Sequence, residues 1–325
     1  MSHHITQNFI DEAWNTKDIN LKDYTFAQER IDKRFGLIYF MKSKVTVRTL
    51  FVKERNISIL SPQYLEIATR SKISDNYLLQ IHGIKQDMNS NTIQIYFEEF
   101  PTDLQSEIQR HLTERTRFSE AELYAILYSS VSALSCLEQH NKPHNFVVPL
   151  NILKFRKDIY KIHDNFTISN QTYLYNQALR GQYLRYLAPE FLASLTRKSE
   201  KPDPYDAYKA DIFSLGICIL DAGLLTTEGD YINKKLMILD ENALRGALQK
   251  FASLYSNTLA HILEDMLNQD PSKRPSPTTL FKRLPGKPLP QGQNSGKKRK
   301  YLDKIINDGS PEVVFFNFRV LSLFE

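Results

Sequence analysis

The spacing of apolar residues changes once along this chain, and that change limits the folds that the chain can adopt. From about residue 34 to residue 100 the apolar residues form short strand-like runs separated by turn residues, and after Pro101 they recur at helical intervals. Strands that precede helices in this way are typical of α+β proteins. We therefore expect two unequal lobes, a small β-rich lobe followed by a larger helical lobe.

The strand signal of the first lobe lies in three segments. Apolar and polar residues alternate over residues 34–53, and two more apolar runs cover residues 77–84 and 92–97. A helical stretch over residues 61–70 opens at Ser61-Pro62, between the first two strand segments.

The second lobe is predicted to be helical. Ser119 and Glu122 have the spacing of a capping box, and apolar residues repeat behind them at helical intervals. Two more helical repeats cover residues 212–225 and 259–267. We assign residues 31–285 to one domain, with the β-rich lobe at about 31–100 and the helical lobe at about 101–285.

The two ends of the chain differ from this domain in composition. Residues 1–30 are polar without a sustained period and are interpreted as an N-terminal extension. Residues 286–325 begin as a proline-rich linker, continue through the basic cluster Lys297, Lys298, Arg299 and Lys300, and end in an apolar tail. The tail is too short to cross a bilayer, so we expect it to dock on protein. The basic cluster is either a contact for a polyanionic surface or a solvated charge run.

Composition excludes several classes of protein. The formal charge of +5 is too small for a dedicated nucleic-acid coat. The 11 glycines are about half of the usual share of roughly 7%, which counts against a protein built around glycine-rich phosphate loops. Cys136 and Cys218 lie in apolar helix-like segments, which favours a reducing compartment over a disulfide framework. Because the chain has no apolar run of about 18 residues, we expect a cytoplasmic protein without a membrane partner, with a nuclear or cytoskeletal location as the alternative.

Three motifs follow one another in the second half of the chain. They are Ala188-Pro189-Glu190, the run at residues 211–216 that begins with Asp211, and the run at residues 266–275 that contains Arg274. In order and spacing they resemble the C-lobe of eukaryotic protein kinases. The resemblance implies a two-lobed protein kinase-like fold in which Glu190 pairs with Arg274, because a buried charge needs a partner, and Asp211 is structural.

The catalytic loop of that family is recognisable at residues 137–153, which align without a gap to its H-R-D-L-K-P-x-N-I-L stretch. His144 matches the histidine, but Asn145, Phe146 and Val148 stand where the family has arginine, aspartate and lysine. In the family the aspartate accepts the proton of the substrate hydroxyl, and the lysine offsets the charge of the moving phosphoryl group. Phenylalanine and valine can do neither, so the resemblance is to a pseudokinase.

Residues that match the nucleotide and magnesium contacts of the family are partly retained. Asn151 and Asp164 match its magnesium ligands. Lys53, in Leu50-Phe51-Val52-Lys53, matches the lysine of the V-A-I-K strand that reaches the phosphates, and Glu66 is the candidate for its ion-pair partner.

The loop that covers the phosphates in the family is degraded in this chain. Gly36 falls on its third glycine, while Ile31 and Lys33 replace the first two. A β-branched residue resists the backbone conformations that glycine allows. Glu98 and Phe100 belong to the segment that resembles the hinge, whose backbone faces adenine in the family. We expect that no cofactor is required and that ATP and magnesium bind weakly if they bind.

The leading hypothesis is a catalytically inactive scaffold or allosteric module that binds a protein partner. One alternative is an atypical active Ser/Thr protein kinase with a displaced catalytic base, for which Asp158 is the nearest acid downstream of the loop. The other is a structural protein that binds a polyanion or the cytoskeleton through the basic tail.

Overall fold

The computed structural model describes residues 14–16, 21–32, 36–46, 48–56, 62–87, 92–156, 158–163, 183–196, 205–226, 231–233, 236 and 238–286. The chain divides into two compact units, Met1–Gly286 and Lys287–Glu325. The second unit lies outside the described residues, and with it the basic cluster at residues 297–300 and the apolar tail.

The first lobe is built on a six-stranded sheet. Its strands are β1 (Trp14–Thr16), β2 (Tyr24–Asp32), β3 (Gly36–Ser43), β4 (Thr49–Asn56), β5 (Ile81–Asp87) and β6 (Thr92–Glu98). They lie in the order β1-β5-β6-β4-β3-β2, and each neighbouring pair is antiparallel. Helix α1 (Pro62–Arg70) packs its Ile67 into the same buried cluster as Phe51 of β4 and Phe97 of β6.

The second lobe is mainly helical. Its helices are α2 (Leu104–Glu114), α3 (Glu120–Gln139), α4 (Pro189–Thr196), α5 (Ala207–Leu224), α6 (Glu241–Ala252), α7 (Asn257–Met266) and α8 (Pro277–Arg283). Strands β7 (Thr102–Asp103), β8 (Ile152–Arg156) and β9 (Ile159–Ile162) form a small sheet, and β10 (Ile232–Asn233) pairs with β11 (Ile238–Leu239). The predicted α+β architecture, with a β-rich lobe and a larger helical lobe, is confirmed.

Helices α3 and α5 lie at the centre of the second lobe. The predicted capping box is present: Ser119 Oγ accepts the backbone N–H of Glu122, and the Glu122 carboxylate accepts the backbone N–H of Ser119 at 2.8 Å. Helix α5 is buried along nearly its whole length because its apolar residues occur on all sides rather than in one stripe.

The sheet begins earlier in the chain than the sequence suggested. Residues 14–16 and 24–30, expected in an N-terminal extension, belong to β1 and β2. Strand β2 lies at the edge of the sheet, and its residues between Tyr24 and Asp32 are exposed on both faces. An edge strand without a buried face shows no alternation of apolar and polar residues, so the pattern that identifies strands is missing there.

The apolar run at residues 77–84 is not one strand, because β5 begins only at Ile81. Its first part connects the lobes instead: the Leu79 N–H donates to the Ile162 carbonyl at 2.9 Å, and the Ile162 N–H donates to the Tyr77 carbonyl at 2.8 Å. Leu78 is buried in the core of the second lobe and Leu79 in that of the first. Consecutive residues buried in two different cores produce a continuous apolar run that resembles a strand.

Two features bear on the compartment of the protein. Both cysteines are free, with Cys218 buried and Cys136 half-buried. Among the described residues, no helix combines the length and the hydropathy that a bilayer crossing requires.

Candidate functional site

The segment that resembles a catalytic loop is anchored by helix α5. The buried carboxylate of Asp211 accepts the backbone N–H of His144 at 2.7 Å and that of Asn145 at 2.8 Å. Asn145 adopts the left-handed conformation, with φ of 61°, which asparagine tolerates better than most residues. Two charge-assisted hydrogen bonds therefore fix the backbone of the loop.

His144 is a structural histidine in this loop. It is buried, its Nδ1 lies 3.1 Å from the backbone N–H of Phe146, and its Nε2 lies 2.8 Å from the carbonyl of His163. A carbonyl can only accept and a backbone N–H can only donate, so Nε2 carries the proton and Nδ1 does not. The neutral ring thus connects the loop to the residue that follows β9.

Phe146 occupies the position of the catalytic base. Its ring packs edge-on against Tyr183, with ring centroids 4.9 Å apart and planes at 90°. The same apolar cluster contains Leu184, Leu187 and Ile232. Val148, at the position of the catalytic lysine, is buried. Both residues therefore make apolar contacts at the positions that the resemblance assigns to the base and the lysine.

The two acidic residues of helix α5 do not replace the missing base. Both oxygens of Asp211 accept loop N–H groups. Asp221 is fully buried, with Oδ1 2.5 Å from Arg185 and Oδ2 accepting the Tyr186 hydroxyl at 3.0 Å. Burial raises the pKa of Asp221 to about 7, and Arg185 opposes the rise. Asp158, the acid suggested by the sequence, lies in the turn between β8 and β9.

Asn151, a predicted magnesium ligand, is buried at the end of the loop. The side-chain amide of Asn151 donates to the Phe146 backbone carbonyl at 3.0 Å. The backbone carbonyl of Asn151 accepts the His163 N–H at 2.8 Å. The other predicted ligand, Asp164, lies outside the described residues. Within the described ranges, no group of three or more His, Cys, Asp or Glu side chains could hold a metal ion.

Lys53 lies at the expected strand position but without the expected partner. Its Nζ donates to the Leu37 carbonyl at 3.3 Å, and burial together with the nearby Arg55 lowers its pKa. Within the described residues, no ion pair joins Lys53 to Glu66, and their role at a nucleotide site stays a prediction. Helix α1 buries Ile67 instead and leaves the neighbouring Glu66 half-exposed. A short helix that must bury its apolar side chain cannot also direct the adjacent residue to the same point.

Gly36 does lie beside Lys53. A Cβ atom at Gly36, whose φ is 67°, would lie 3.6 Å from Lys53 Nζ. The ladder between β2 and β3 continues to the pair Asp32 and Gly36, and Ile31, opposite Leu37, is 82% exposed. Lys33 lies outside the described residues.

The hinge residues are engaged in contacts within the protein. Glu98 Oε1 accepts the Gln80 N–H at 2.7 Å and lies 2.5 Å from Lys161 Nζ. Phe100 is buried, and its ring meets the Phe51 ring edge-on, with centroids 5.4 Å apart. Phe51 is also stacked on Phe97, with centroids 4.7 Å apart and planes at 11°.

Three aromatic rings lie beside the segment that resembles the hinge. The rings of Phe51, Phe97 and Phe100 pack on one another within one buried cluster. A cavity of about 630 Å³ lies between β2, the hinge segment and α2; Phe100, Asp103 and Ile31 are among its lining residues. Phe100 therefore borders both the aromatic cluster and this cavity.

Two of the predicted structural residues, Glu190 and Arg274, form an ion pair in the second lobe. Arg274 Nη1 and Nη2 lie 2.7 and 3.2 Å from the two carboxylate oxygens of Glu190, and the Arg274 side chain is fully buried. The guanidinium also donates to the Asn268 carbonyl and lies over the Phe213 ring at 5.0 Å. This is the two-pronged geometry that arginine and a carboxylate form best.

Sequence reasoning did not single out two features of the site. The pair of Arg185 and Asp221 had one signal, a lone acidic residue within the apolar run at 212–225. The role of Phe51 had a weaker sequence signal, because a bulky residue stands at the alanine position of the V-A-I-K strand.

Comparisons with known proteins agree with the two-lobed fold described above. A family model described as a protein kinase domain matches residues 34–284. The chain is 29% identical over 200 residues to a TBC domain-containing protein kinase-like protein of Mus musculus, covering 53% of this chain and 21% of that protein. It is 28% identical over 180 residues to the probable serine/threonine-protein kinase nek3 of Dictyostelium discoideum, covering 54% and 15%. It is 24% identical over 276 residues to the G2-specific protein kinase fin1 of Schizosaccharomyces pombe, covering 76% and 36%. The chain thus spans less than two fifths of the length of these relatives.

Proposed function

Because this chain belongs to the protein kinase domain family, we propose that it is a pseudokinase, which acts by binding protein partners rather than by transferring phosphate. The observation that carries this proposal is the contact of Phe146 with Tyr183. An apolar ring stands at the position of the base, and its surroundings are apolar as well. A charged group at this position would lie next to hydrocarbon side chains and would be partly desolvated.

The expected loss of rate is large. A positioned base contributes a factor of about 10² to 10⁴, and kinases turn over at about 1–100 s⁻¹. The cation that stabilises the moving phosphoryl group is also absent, because Val148 is buried at its position. Both losses act on the same step, so little phosphotransfer would remain.

The experiment that tests the proposal is a phosphotransfer assay with the purified full chain, ATP and magnesium. We expect no phosphate on the protein itself or on generic peptide substrates. The matched control is Asp164→Ala, which removes the predicted magnesium ligand.

Incorporation that persists in the Asp164→Ala variant comes from a contaminating kinase. Incorporation that this substitution abolishes would contradict the proposal and favour the alternative of an atypical active Ser/Thr kinase. The contacts of Asp211 and Asp221 argue against that alternative, since both carboxylates are committed to structural partners.

A further inference from the structure

We propose that the ring of Phe51 takes the place of a purine in the cleft, so that this single side chain excludes adenine compounds and joins the two lobes without a ligand. The inference rests on the proposed function, because it treats the cleft as a nucleotide site that has lost its ligand. It also identifies the residue that decides what the cleft can bind.

The position of Phe51 on its strand directs the ring into the cleft. Phe51 precedes Lys53 by two residues on β4, and residues two apart point to the same face of a strand. Lys53 Nζ reaches the Leu37 carbonyl on that face. In the V-A-I-K strand that this segment resembles, the position of Phe51 holds alanine, whose side chain leaves the space open.

The ring is held on several sides. Phe51 and Phe97 are direct cross-strand partners of β4 and β6, and their rings are stacked in parallel. The Phe100 ring contacts the Phe51 ring in an edge-on arrangement. Phe51 is 1% exposed, and Ile38 of the first lobe and Leu153 of the second lobe belong to the same buried cluster. Protein interiors are close-packed, so a purine and this ring cannot occupy the space together.

A ligand would have a route to this space if the ring were removed. Phe100 contacts Phe51 and also lines the open cavity in front of the hinge. Truncation of Phe51 to alanine would therefore extend that cavity inward, to the ring face of Phe97 that Phe51 now covers. A flat aromatic heterocycle fits such a slot, because it stacks on the Phe97 face as the Phe51 ring now does.

The test compares the wild type, Phe51→Ala and Phe51→Val of the full chain, with adenosine as the probe. Adenosine carries no phosphate, so the result does not depend on Lys53 or on a metal ion. Valine is favourable in a strand, and Phe51→Val also removes the ring. This variant can therefore be tested if Phe51→Ala does not fold. The matched control is Phe251→Ala, which removes another fully buried ring from the second lobe.

We expect both Phe51 variants and the control to melt at a lower temperature than the wild type, because each loses a buried ring. Adenosine should raise the melting temperature of the Phe51 variants and bind to them in calorimetric titration. It should leave the wild type and Phe251→Ala unchanged.

Two results would overturn the inference. One is adenosine binding to the wild type as tightly as to the Phe51 variants, and the other is a folded Phe51 variant that binds none. If the wild type binds adenosine but transfers no phosphate from ATP, this inference fails while the pseudokinase proposal stands. Phosphotransfer that depends on Asp164 contradicts the pseudokinase proposal directly.

Discussion

Some charged side chains of this fold are buried, and each of them depends on nearby groups of opposite charge or on hydrogen-bond acceptors. Arg274 is fully buried, and its guanidinium has donors directed at Glu190, at the Asn268 carbonyl and at the Lys209 carbonyl. Such an arrangement costs little while every donor is satisfied. It becomes expensive when the counter-charge is removed, because the guanidinium cannot lose its proton.

Glu190→Gln should therefore lower the free energy of unfolding by about 3–5 kcal/mol, since it leaves a buried charge uncompensated. Urea denaturation measures this change. The matched control is Asp265→Asn, which removes the partner of Arg283 in a pair whose side chains are both more than half exposed, and it should cost less than about 1 kcal/mol. Equal costs for the two variants would show that Glu190 does not compensate Arg274.

At the scale of elements, helix α5 organises the second lobe through two acidic residues. Asp211, in its first half, holds the backbone of the catalytic-loop segment, and Asp221, near its end, holds Arg185 and Tyr186 ahead of α4. One rigid helix therefore fixes both sides of the position that Phe146 and Tyr183 fill. The aromatic contact is supported by the helix rather than by the loop alone.

The pH dependence of stability should report on this helix. Burial raises the pKa of Asp221 from an ordinary value of 3.8 to about 7, with Arg185 acting against the rise. Between these values the folded protein binds a proton that the unfolded chain has released, so the free energy of unfolding falls as pH rises through this window. The decrease should be on the order of a few kcal/mol.

Urea denaturation between pH 4 and pH 8 measures this slope, and Asp221→Asn should remove it. The control variant Asp265→Asn should keep the slope of the wild type, because Asp265 is more than half exposed. A wild type whose stability does not fall with pH in this window would mean that Asp221 stays ionised beside Arg185.

At the scale of the domain, the two lobes are joined by several kinds of contact. Leu153 of the second lobe lies in the cluster of Phe51. The backbone at Tyr77 and Leu79 is hydrogen-bonded to Ile162, and Glu98 pairs with Lys161. These contacts lie within the protein and involve no bound ligand.

The apolar tail is the segment that we expect to dock, either on its own domain or on a partner. Its residues Val313, Val314, Phe315, Phe316, Phe318, Leu321 and Phe324 lie outside the described residues, so its docking remains a prediction. Burial of a large apolar side chain is worth about 1.5–3 kcal/mol, so a few such contacts would offset the ordering of a short segment.

Deletion after residue 310 should abolish co-purification with a partner and leave the melting temperature unchanged. A lowered melting temperature would mean that the tail stabilises its own chain instead. If neither association nor stability changes, the docking prediction is wrong.

Features with a local or motif-level signal could be predicted from the sequence alone. The order of strands and helices, the capping box at Ser119 and the existence of α5 follow from periodicity and hydrogen-bonding residues within a few turns, although α5 begins at Ala207 rather than at residue 212. The proximity of Glu190 and Arg274 was implied by three linked motifs, and the two side chains lie in contact. The proposal that Phe146 stands at the position of the base rests on residue type alone, so it could be made from the sequence.

The tertiary structure alone decided how side chains from distant segments meet. The resemblance suggested an ion pair between Lys53 and Glu66, but the helix buries Ile67, and no such pair is present within the described residues. Phe51 looked like an ordinary strand residue until β4, β6 and the hinge brought three rings together. Periodicity reports only which face of an element is buried, whereas the contents of a cleft depend on how separate elements pack.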